Sequence, residues 1–543
     1  MKNANYPYNP HTPVATLREL LDLCVNAYGD KPAFRFQEKK AEVAISYLQF
    51  REEVSALCTQ LLSLGLGGSH IAILGENSYS WILVYFAAAC VGAVAVPIDR
   101  DLPVEEICPL LSAGDCKAIF VSQSYTDISD ELSVRMPDLS VFRMNDVPGM
   151  VQNGRRMIDE GSSLFTKTQV SENQLSSIVF TSGTTGNPKG VMLTHRNICS
   201  CVYGAASHVL VTGPSLLVLP LHHAFGLVIS VFAVMYCGFP VCINRSLKRL
   251  SDDFKRYQPE HLFAVPLIVE TLYKNIWNAA RKSKKEKTLK RLIKLSDCLL
   301  ACGIDLRQKL FRTVLDGFGG KLDLIVSGGA PLDDKYVRAF RSFGITVLNG
   351  YGITECGPVV AVNRNRFIVP DSVGLPLHCN RVRISAEGEI QVSGDNVTPG
   401  YYHNETENDK AFTEDGWFRT GDLGYLDEQG SLHITGRIKN LIILSNGENV
   451  PAEAIEREVY MIPYVKEVVA FGRNDRICIE AYLEEDSGKT AADLLADVQI
   501  LNQRLPMNRN IGDVVTRDIP FPKTTTKKIK RDYGGKANAG KAD

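Results

Sequence analysis

Segments with the apolar spacing of an amphipathic helix alternate with short apolar strands through the first hundred residues of this chain. TLRELLDLCVNAYG, from Thr16, has helical spacing and ends in Gly29, a residue typical of a helix C-terminus. HIAILGEN, from His70, is a short apolar strand, and SWILVYFAAACVGAVAVPI, from Ser80, is a buried helix followed by a strand. The alternation resumes after Ser177. Strands alternating with helices predict α/β structure, a parallel sheet covered by helices on both faces.

The pattern changes twice in the remainder of the chain. Short alternating runs between Ser372 and Thr435, among them RVRISA, EIQVSG and SLHIT, predict antiparallel strands and a small barrel. After about Ile438 the chain has helical and strand-like segments of its own. Because a domain usually holds about 100–200 residues, a chain of 543 residues is expected to build more than one core.

The composition narrows the class of protein. A hydrophobic fraction of 45% and a charged fraction of 22% are globular values. The net charge of −1 gives no general attraction to nucleic acid. The 14 cysteines include no CxxC pair, which favours reduced thiols and a cytoplasmic protein.

Neither a signal peptide nor a transmembrane helix is predicted. Residues 1–17 are polar and lack an apolar region. The apolar stretch from Leu216 to Ile243 is long enough to span a bilayer, but Pro220, Gly238 and Pro240 interrupt it, so a buried strand and a buried helix fit better. The basic run RKSKKEKTLKR, from Arg281 to Arg291, is interpreted as a solvated helix face. Peripheral contact with acidic lipid, or with the nucleotide of coenzyme A, remains an alternative for this run.

The strongest local motif is FTSGTTGNPKGV, from Phe180 to Val191, which is predicted to link a strand to a helix. Its glycines allow backbone N–H groups to approach phosphate oxygens, its hydroxyls add donors, and a lysine neutralises charge. The Walker order of Gly-Lys-Ser/Thr is absent. The motif therefore predicts a phosphate-binding loop of another class, with the residues Thr181, Ser182, Gly183, Thr184, Thr185, Gly186 and Lys189.

Further motifs follow in the order LPLHHAFGL, SGGAP, NGYGITE, WFRTGDLG, GRIKN, SNGENV and PKTTTKKIKR. With the loop, they resemble the adenylate-forming superfamily of acyl-CoA synthetases, adenylation domains and firefly-type luciferases. The resemblance runs from about Thr16 to Arg531, and the N-terminal half looks most like bacterial fatty-acid CoA ligases. It implies a large N-terminal domain, residues 1–438, of two doubly wound α/β subdomains and a small β-barrel. A small mobile α+β C-terminal domain, residues 439–543, is expected to follow.

The resemblance implies a nucleotide site built from several motifs. His223 is expected between the phosphates and the acyl carboxylate. The turn of Gly328, Gly329, Ala330 and Pro331 is expected to pack on adenine, and so is the NGYGITE segment with Asn349, Gly350, Tyr351 and Gly352. Asn349 would meet the exocyclic amine and Tyr351 the face of the base, while Thr354 reaches phosphate. Glu355 would hold magnesium, because carboxylates bind hard cations through oxygen.

The remaining implied roles concern the ribose, the hinge and the second step. Asp422 and Arg437 are expected to bind the ribose hydroxyls, and Lys439 to be the hinge. Gly447, Glu448 and Asn449 would line the thiol tunnel, and Lys528 would be the catalytic lysine. The chain departs from the family pattern where Pro451, Ala452 and Ala454 follow the tunnel motif and where Lys527 replaces a glycine.

The expected activity is ATP-dependent formation of an acyl-adenylate, with magnesium, followed by transfer of the acyl group to coenzyme A. No acidic residue lies near LPLHHAFGL to pair with a substrate ammonium, which argues against α-amino acids. A medium- or long-chain fatty acid is favoured, with Gly226 and Gly350 leaving room for the chain, and an aryl acid comes second. Two alternatives stay open: loading of a carrier-protein phosphopantetheine, and a nucleotide-binding scaffold without activity.

Overall fold

The computed structural model describes residues 6–39, 41–181, 188–444, 449–523, 529 and 531. The chain packs as two units. The first consists of Met1–Val382, Val392–Phe418 and Gln429–Ser431, and the second of Arg383–Gln391, Arg419–Glu428 and Leu432–Asp543. The domain boundary between residues 438 and 439 stays a prediction.

The first unit contains a six-stranded and a nine-stranded sheet. Strands are numbered in chain order. The six-stranded sheet has the order β6-β5-β3-β4-β7-β8, with neighbours parallel except for the antiparallel pair β7 and β8. Its strands are β3 His70–Leu74, β4 Val94–Ile98, β5 Cys116–Val121, β6 Ser140–Arg143, β7 Leu175–Thr181 and β8 Lys189–Thr194.

The strand order of the six-stranded sheet explains why helices cover both of its faces. The chain steps one way from β3 to β4 and then the other way to β5 and β6. Right-handed crossovers in opposite directions place their helices on opposite faces. Ile71 and Ile73 of β3 accordingly belong to one core, while Ala72 and Leu74 belong to another. The predicted doubly wound α/β fold is confirmed.

The nine-stranded sheet has the order β15-β14-β13-β12-β11-β9-β10-β1-β2. Its central strands, from β13 to β1, are parallel, and both edges are antiparallel. The strands are β1 Pro32–Glu38, β2 Ala41–Ser46, β9 Ser215–Leu217, β10 Val241–Ile243, β11 His261–Ala264, β12 Leu324–Ser327, β13 Thr346–Tyr351, β14 Ala361–Val362 and β15 Leu375–Pro376.

Some helices of the first unit begin at a side chain that accepts a hydrogen bond from a free backbone N–H group. Thr194, for example, accepts from the N–H of Asn197, whose side chain accepts in return from the N–H of Thr194. The helices are α1 Leu17–Tyr28, α2 Tyr47–Ser63, α3 Tyr79–Cys90, α4 Val104–Ala113, α5 Thr126–Arg135, α6 Val147–Asp159, α7 Leu164–Lys167, α8 His195–His208, α9 Val234–Tyr236, α10 Leu250–Tyr257, α11 Pro266–Lys282, α12 Glu286–Ala301, α13 Arg307–Leu310, α14 Arg312–Asp316, α15 Asp334–Ser342 and α16 Glu405–Ala411.

In the first unit, one strand was not expected from the sequence and one predicted helix has an unusual form. The phosphate motif does not run directly into a helix, because Lys189–Thr194 first form β8 against β7, with Val191 and Leu193 buried. The long apolar stretch contains β9 and a buried helix as predicted, but that helix is a π-helix at Phe225–Ala233. Among the described residues, no helix has both the length and the apolar character needed to cross a bilayer.

Antiparallel structure occupies the region in which it was predicted. A four-stranded sheet has the order β16-β17-β18-β19, with β18 and β19 antiparallel. Its strands are β16 Asn380–Ile384, β17 Glu389–Gly394, β18 Phe418–Leu426 and β19 Leu432–Arg437.

The second unit has a core of its own. Strands β22 and β23 pair antiparallel, β24 joins β23 in parallel, and β20 pairs with β21. Their buried side chains pack with those of two helices, and this core includes Ile455, Val468, Ile479, Leu494 and Val498. The elements are β20 Leu441–Ile443, β21 Asn449–Pro451, α17 Ala452–Val459, β22 Val465–Arg473, β23 Arg476–Leu483, α18 Ala491–Asn502 and β24 Ile511–Arg517.

Candidate active site

Two buried polar atoms lie where β12 and β13 end their pairing. Ser327 and Asn349 form the last residue pair between these parallel strands. The Oγ of Ser327 and the Oδ1 of Asn349 are buried, and no hydrogen-bond donor of the described residues reaches either. The Nδ2 of Asn349 donates to the carbonyl of Pro370 at 3.1 Å, which fixes the amide orientation. Because ligands of open α/β sheets bind at the carboxyl ends of strands, Asn349 is placed where an acceptor could meet a ligand.

The turn after β12 presents backbone rather than side chains. Gly329 has φ +82°, in the left-handed region that favours glycine, and Gly329, Ala330 and Pro331 are exposed. A Cβ on Gly328 would lie 3.1 Å from the ring of Phe225, at the start of the π-helix. The turn therefore exposes backbone with little side chain over it, and its predicted role at adenine stays a prediction.

Glycines also shape the segment that follows Asn349. A Cβ on Gly352 would lie 1.9 Å from the Pro358 carbonyl oxygen, and one on Gly226 would lie 2.3 Å from that of Pro220. A Cβ on Gly350 would touch Ala361 and Val362 at 3.4 Å. The expectation that Gly226 leaves room for an acyl chain is therefore wrong, because the Pro220 backbone already fills the space beside it. The expectation for Gly350 stays a prediction.

The two histidines after β9 have different surroundings. His222 is buried, and its Nε2 lies 3.5 Å from a carboxylate oxygen of Asp99. Burial and the neighbouring His223 lower the pKa of His222 to about 3, although Asp99 opposes this shift. The ring centroids of the two histidines are 4.2 Å apart, and His223 is partly exposed. The accessible member of the pair is therefore His223, the residue predicted to meet substrate.

A tyrosine joins the predicted magnesium ligand to the predicted phosphate-binding lysine. The hydroxyl of Tyr401 donates to Glu355 Oε1 at 2.9 Å, and the Nζ of Lys189 lies 5.2 Å from the centre of the Tyr401 ring. Burial first, and then Glu355, raise the pKa of Tyr401, so the phenol stays protonated and donates. One side chain thus positions a cation and a carboxylate at the same site.

Lys189 has an anionic partner of its own, Glu407. The two form a short, half-buried ion pair, and the hydrogen bond from Lys189 lowers the pKa of Glu407. Asn408 holds the segment in place, because its side chain accepts from the backbone N–H of Tyr401 at 2.6 Å and donates to the Tyr401 carbonyl at 3.1 Å. The backbone N–H of Thr398 donates to the Glu355 carbonyl at 2.8 Å.

Sequence reasoning missed Tyr401, Glu407 and Asn408, which lie in GYYHNETEN. Their run of tyrosine, asparagine and glutamate is polar enough to draw notice. No spacing in the sequence connects it with Lys189, which is more than 200 residues earlier. Two backbone hydrogen bonds make the contact possible: the Met192 N–H donates to the Gly400 carbonyl, and the Tyr402 N–H donates to the Gly190 carbonyl.

The described residues at the two ends of the phosphate motif belong to paired strands. Thr181 and Lys189 pair directly as the last residues of β7 and the first of β8. Ser182, Gly183, Thr184, Thr185 and Gly186 lie outside the described residues. Tyr351 ends β13, and Thr354 begins the 3-10 turn that contains Glu355.

The second unit contains the residues predicted for ribose. Asp422 and Arg437 are cross-strand partners in β18 and β19, and Arg437 Nε lies 2.7 Å from Asp422 Oδ1. Asp422 is 2% exposed, so Arg437 supplies the positive charge that a buried carboxylate needs. Lys439 lies in an exposed 3-10 turn directly after β19, and Asn449 begins β21.

Three predicted residues of the second unit, Gly447, Glu448 and Lys528, lie outside the described residues. The described residues that precede and follow the predicted catalytic lysine, Lys523 and Arg531, form ion pairs. Lys523 lies 2.5 Å from Glu467, and Arg531 lies 2.5 Å from Glu456. Both Glu467 and Glu456 belong to the second unit.

The predicted metal site has a single protein carboxylate. In the described part of the chain, no three His, Cys, Asp or Glu side chains converge as a metal-binding group. A partly buried carboxylate such as that of Glu355 nevertheless fits Mg²⁺, which usually keeps its waters and binds one or two carboxylates together with substrate phosphates. The donor set thus suits a metal that arrives with a nucleotide.

Comparison with models of known protein families identifies the family of the chain. Residues 21–402 match the AMP-binding enzyme family. The chain belongs to this family. The match covers both parallel sheets and the segment with Lys189, Glu355 and Tyr401.

Named relatives of this AMP-binding enzyme are ligases. It is 30% identical over 446 residues to long-chain-fatty-acid–CoA ligase FadD15 of Mycobacterium bovis, covering 77% of this chain and 74% of that protein. It is 26% identical to long-chain-fatty-acid–[acyl-carrier-protein] ligase AEE15 of Arabidopsis thaliana, covering 93% and 83%. The crystal structure of ATP-bound MatB from Rhodopseudomonas palustris shares the fold, with a TM-score of 0.76, 22% identity and coverage of 95% and 97%. Family and relatives indicate an AMP-forming acid–thiol ligase, as predicted.

Proposed function

We propose that this enzyme joins a medium- or long-chain fatty acid to coenzyme A in two steps that consume ATP. In the first step a carboxylate oxygen attacks the α-phosphorus of ATP, the bond to pyrophosphate breaks, and an acyl-adenylate forms. In the second step the sulfur of coenzyme A attacks the acyl carbonyl, the thiol proton leaves to solvent, and AMP departs. The observation that carries the proposal is the linked set of Lys189, Tyr401 and Glu355 beside the phosphate motif.

The nucleotide would be held by complementary polar groups. The unpartnered Oδ1 of Asn349 accepts a hydrogen bond from the adenine amine, and the exposed residues Gly329, Ala330 and Pro331 of the turn support the base. Tyr351 covers its other face. Asp422 accepts from the ribose hydroxyls while Arg437 fixes its orientation. These contacts favour adenine over a base that lacks a donor at this position.

Charge at the phosphates would be balanced by groups already paired with one another. Lys189 exchanges Glu407 for a phosphate oxygen, so its charge is not left unpaired before ATP arrives. A magnesium ion bound to Glu355 supplies positive charge to the phosphate oxygens. Tyr401 holds the Glu355 carboxylate, and Thr354 and His223 donate hydrogen bonds to phosphate and acyl oxygens.

The second step needs a different set of groups at the acyl carbonyl. Lys528 stabilises the charge that builds on the carboxylate and the pyrophosphate in the first step, a contact worth about 3–4 kcal/mol. It must then withdraw to admit the thiol. A rotation about Lys439 would exchange it for Gly447, Glu448 and Asn449, which line the thiol path.

A specific observation favours one alternative acceptor. AEE15, similar over most of this chain, is named as a ligase for an acyl-carrier protein. A phosphopantetheine arm on a carrier protein presents the same thiol as coenzyme A. FadD15, with higher identity and named as a CoA ligase, supports coenzyme A as the first choice.

The test is AMP release and thioester formation with ATP, magnesium and a ladder of fatty and aryl acids, each offered with coenzyme A or with a phosphopantetheinylated carrier protein. We expect a maximum along the fatty ladder and a coenzyme A thioester. A maximum on aryl acids would contradict the substrate assignment, and a thioester only on the carrier would contradict the acceptor. No AMP with any acid would favour a nucleotide-binding scaffold.

The role of Lys528 has its own test, because the two steps can be assayed apart. Lys528→Ala should lower acyl-adenylate formation by about 100-fold or more. Thioester formation from added acyl-adenylate should stay within a few fold of wild type. Lys527→Ala is the matched control, since it removes the same charge from the adjacent residue. Equal loss of both steps in Lys528→Ala would contradict the assignment.

A further inference from the structure

An exposed helical hairpin outside the candidate site concentrates the positive charge of the chain. Helices α11 and α12 are joined by residues 283–285, and Lys284 in this connection has φ 57°. Residues 281–294 contain eight basic side chains and one acidic one, a net charge of +7 in a protein of net charge −1. All eight basic residues are exposed, namely Arg281, Lys282, Lys284, Lys285, Lys287, Lys290, Arg291 and Lys294.

Most of this charge has no internal partner. Glu286, the single acid in the run, lies 2.8 Å from Lys290 and 3.9 Å from Arg281. Among the described residues, Lys287, Arg291 and Lys294 make no ion pair. Like charges held this close repel one another, and an anionic surface would relieve the repulsion that water and salt leave. The hairpin is therefore arranged to meet anions.

The outer face of α12 is amphipathic along its length rather than only basic. Leu289 and Ser296 are buried against the protein. On the opposite side, Lys287, Arg291 and Lys294 lie at helical spacing. The same side continues with Leu295, which is 49% exposed, and with the exposed Cys298 and Cys302. The chain just beyond adds Ile304, 49% exposed, and Leu306, 37% exposed. Cations beside exposed leucine, isoleucine and cysteine are the composition of a helix that lies in a membrane interface.

We propose that this face of the α11–α12 hairpin, called here the basic face, docks the enzyme on an anionic lipid bilayer. Lysine and arginine contact the headgroups, while Leu295, Ile304 and Leu306 enter the boundary with the acyl chains. Charge complementarity selects this partner over a neutral surface. The apolar residues select it over a soluble polyanion, which would leave them in water. Docking is independent of the reaction proposed above.

The experiment is co-sedimentation of the purified full-length enzyme with vesicles. Phosphatidylcholine vesicles are compared with vesicles in which about one third of the lipid is phosphatidylglycerol. We expect binding to the anionic vesicles that weakens as salt is raised, and little binding to the neutral ones. Equal binding to both compositions, or no binding to either, would overturn the proposal.

Variants locate the contact. Lys287→Gln, Arg291→Gln and Lys294→Gln together should weaken binding to anionic vesicles by roughly 100-fold, at about fivefold for each cation. Leu295→Ser should weaken it a few fold without changing its salt dependence. Lys117→Gln with Lys167→Gln is the control, because both lysines are exposed and lie near the other sheet. Unfolding temperatures are checked for every variant.

Two results would assign the basic face differently. If the triple variant binds vesicles like wild type, the lipid contact lies elsewhere and the proposal is wrong. If the triple variant raises the KM for coenzyme A in an assay without vesicles, the basic face binds the nucleotide of coenzyme A instead of lipid. Vesicle binding lost with the KM unchanged supports the lipid surface, even if the acyl substrate differs from the one proposed.

Discussion

The contact between Tyr401 and Glu355 gives the sharpest test of the site. Tyr401→Phe removes the hydroxyl that donates to Glu355 at 2.9 Å and leaves the ring beside Lys189 in place. Because Tyr401 is 8% exposed, water cannot easily replace this donor. A hydrogen bond to a charged group contributes about 1.5–3 kcal/mol. If that energy is lost in the transition state, adenylate formation should slow by about 10- to 150-fold.

The measurement is pyrophosphate release as a function of magnesium concentration. We expect Tyr401→Phe to lower kcat and to raise the magnesium concentration at half-maximal rate, because the Glu355 carboxylate is no longer held. Tyr402→Phe is the matched control: its hydroxyl donates to Asp115 at 2.8 Å, at an exposed site without contact to Glu355. The reasoning is refuted if Tyr401→Phe keeps the wild-type rate and magnesium dependence, or if Tyr402→Phe loses as much.

Three further predictions follow from other contacts. Glu407→Gln should destabilise the free enzyme by about 1 kcal/mol and increase its stabilisation by ATP, because Lys189 then lacks a partner until phosphate arrives. Thermal unfolding with and without ATP measures both effects. If ATP shifts the unfolding temperature equally in the variant and the wild type, the prediction is wrong. Asn349→Leu should raise the KM for ATP about tenfold, and an unchanged KM would remove Asn349 from the adenine site. Burial lowers the pKa of several histidines, among them His195, His208 and His261, to about 4, and His222, to about 3. The unfolded chain therefore takes up protons first as the pH falls below about 6.5, and stability should decrease by about 1.4 kcal/mol per pH unit for each histidine. Urea midpoints that stay level between pH 7 and 5 would contradict this.

Much of the fold could be predicted because its signals are local. Helix caps, glycine turns and runs of apolar residues depend on neighbours within a few positions. The runs PAFRFQ and AEVAIS, for example, form the β1–β2 hairpin, in which Lys39 has φ 53°. The π-helix at Phe225–Ala233 was not predictable, because an apolar run has the same composition in either helical form.

The sequence by itself determined the class of fold, the phosphate motif and the residue types of a nucleotide site, since these depend on local order and on chemistry carried by single side chains. Only the tertiary structure decided which groups meet. In the structure Glu407 pairs with Lys189, and Tyr401 donates to Glu355. The Pro220 backbone fills the space beside Gly226, and the basic run forms one exposed face. The physical reason is that such contacts join residues brought together by sheet pairing and core packing, and their energies depend on burial and distance, which no spacing along the chain records.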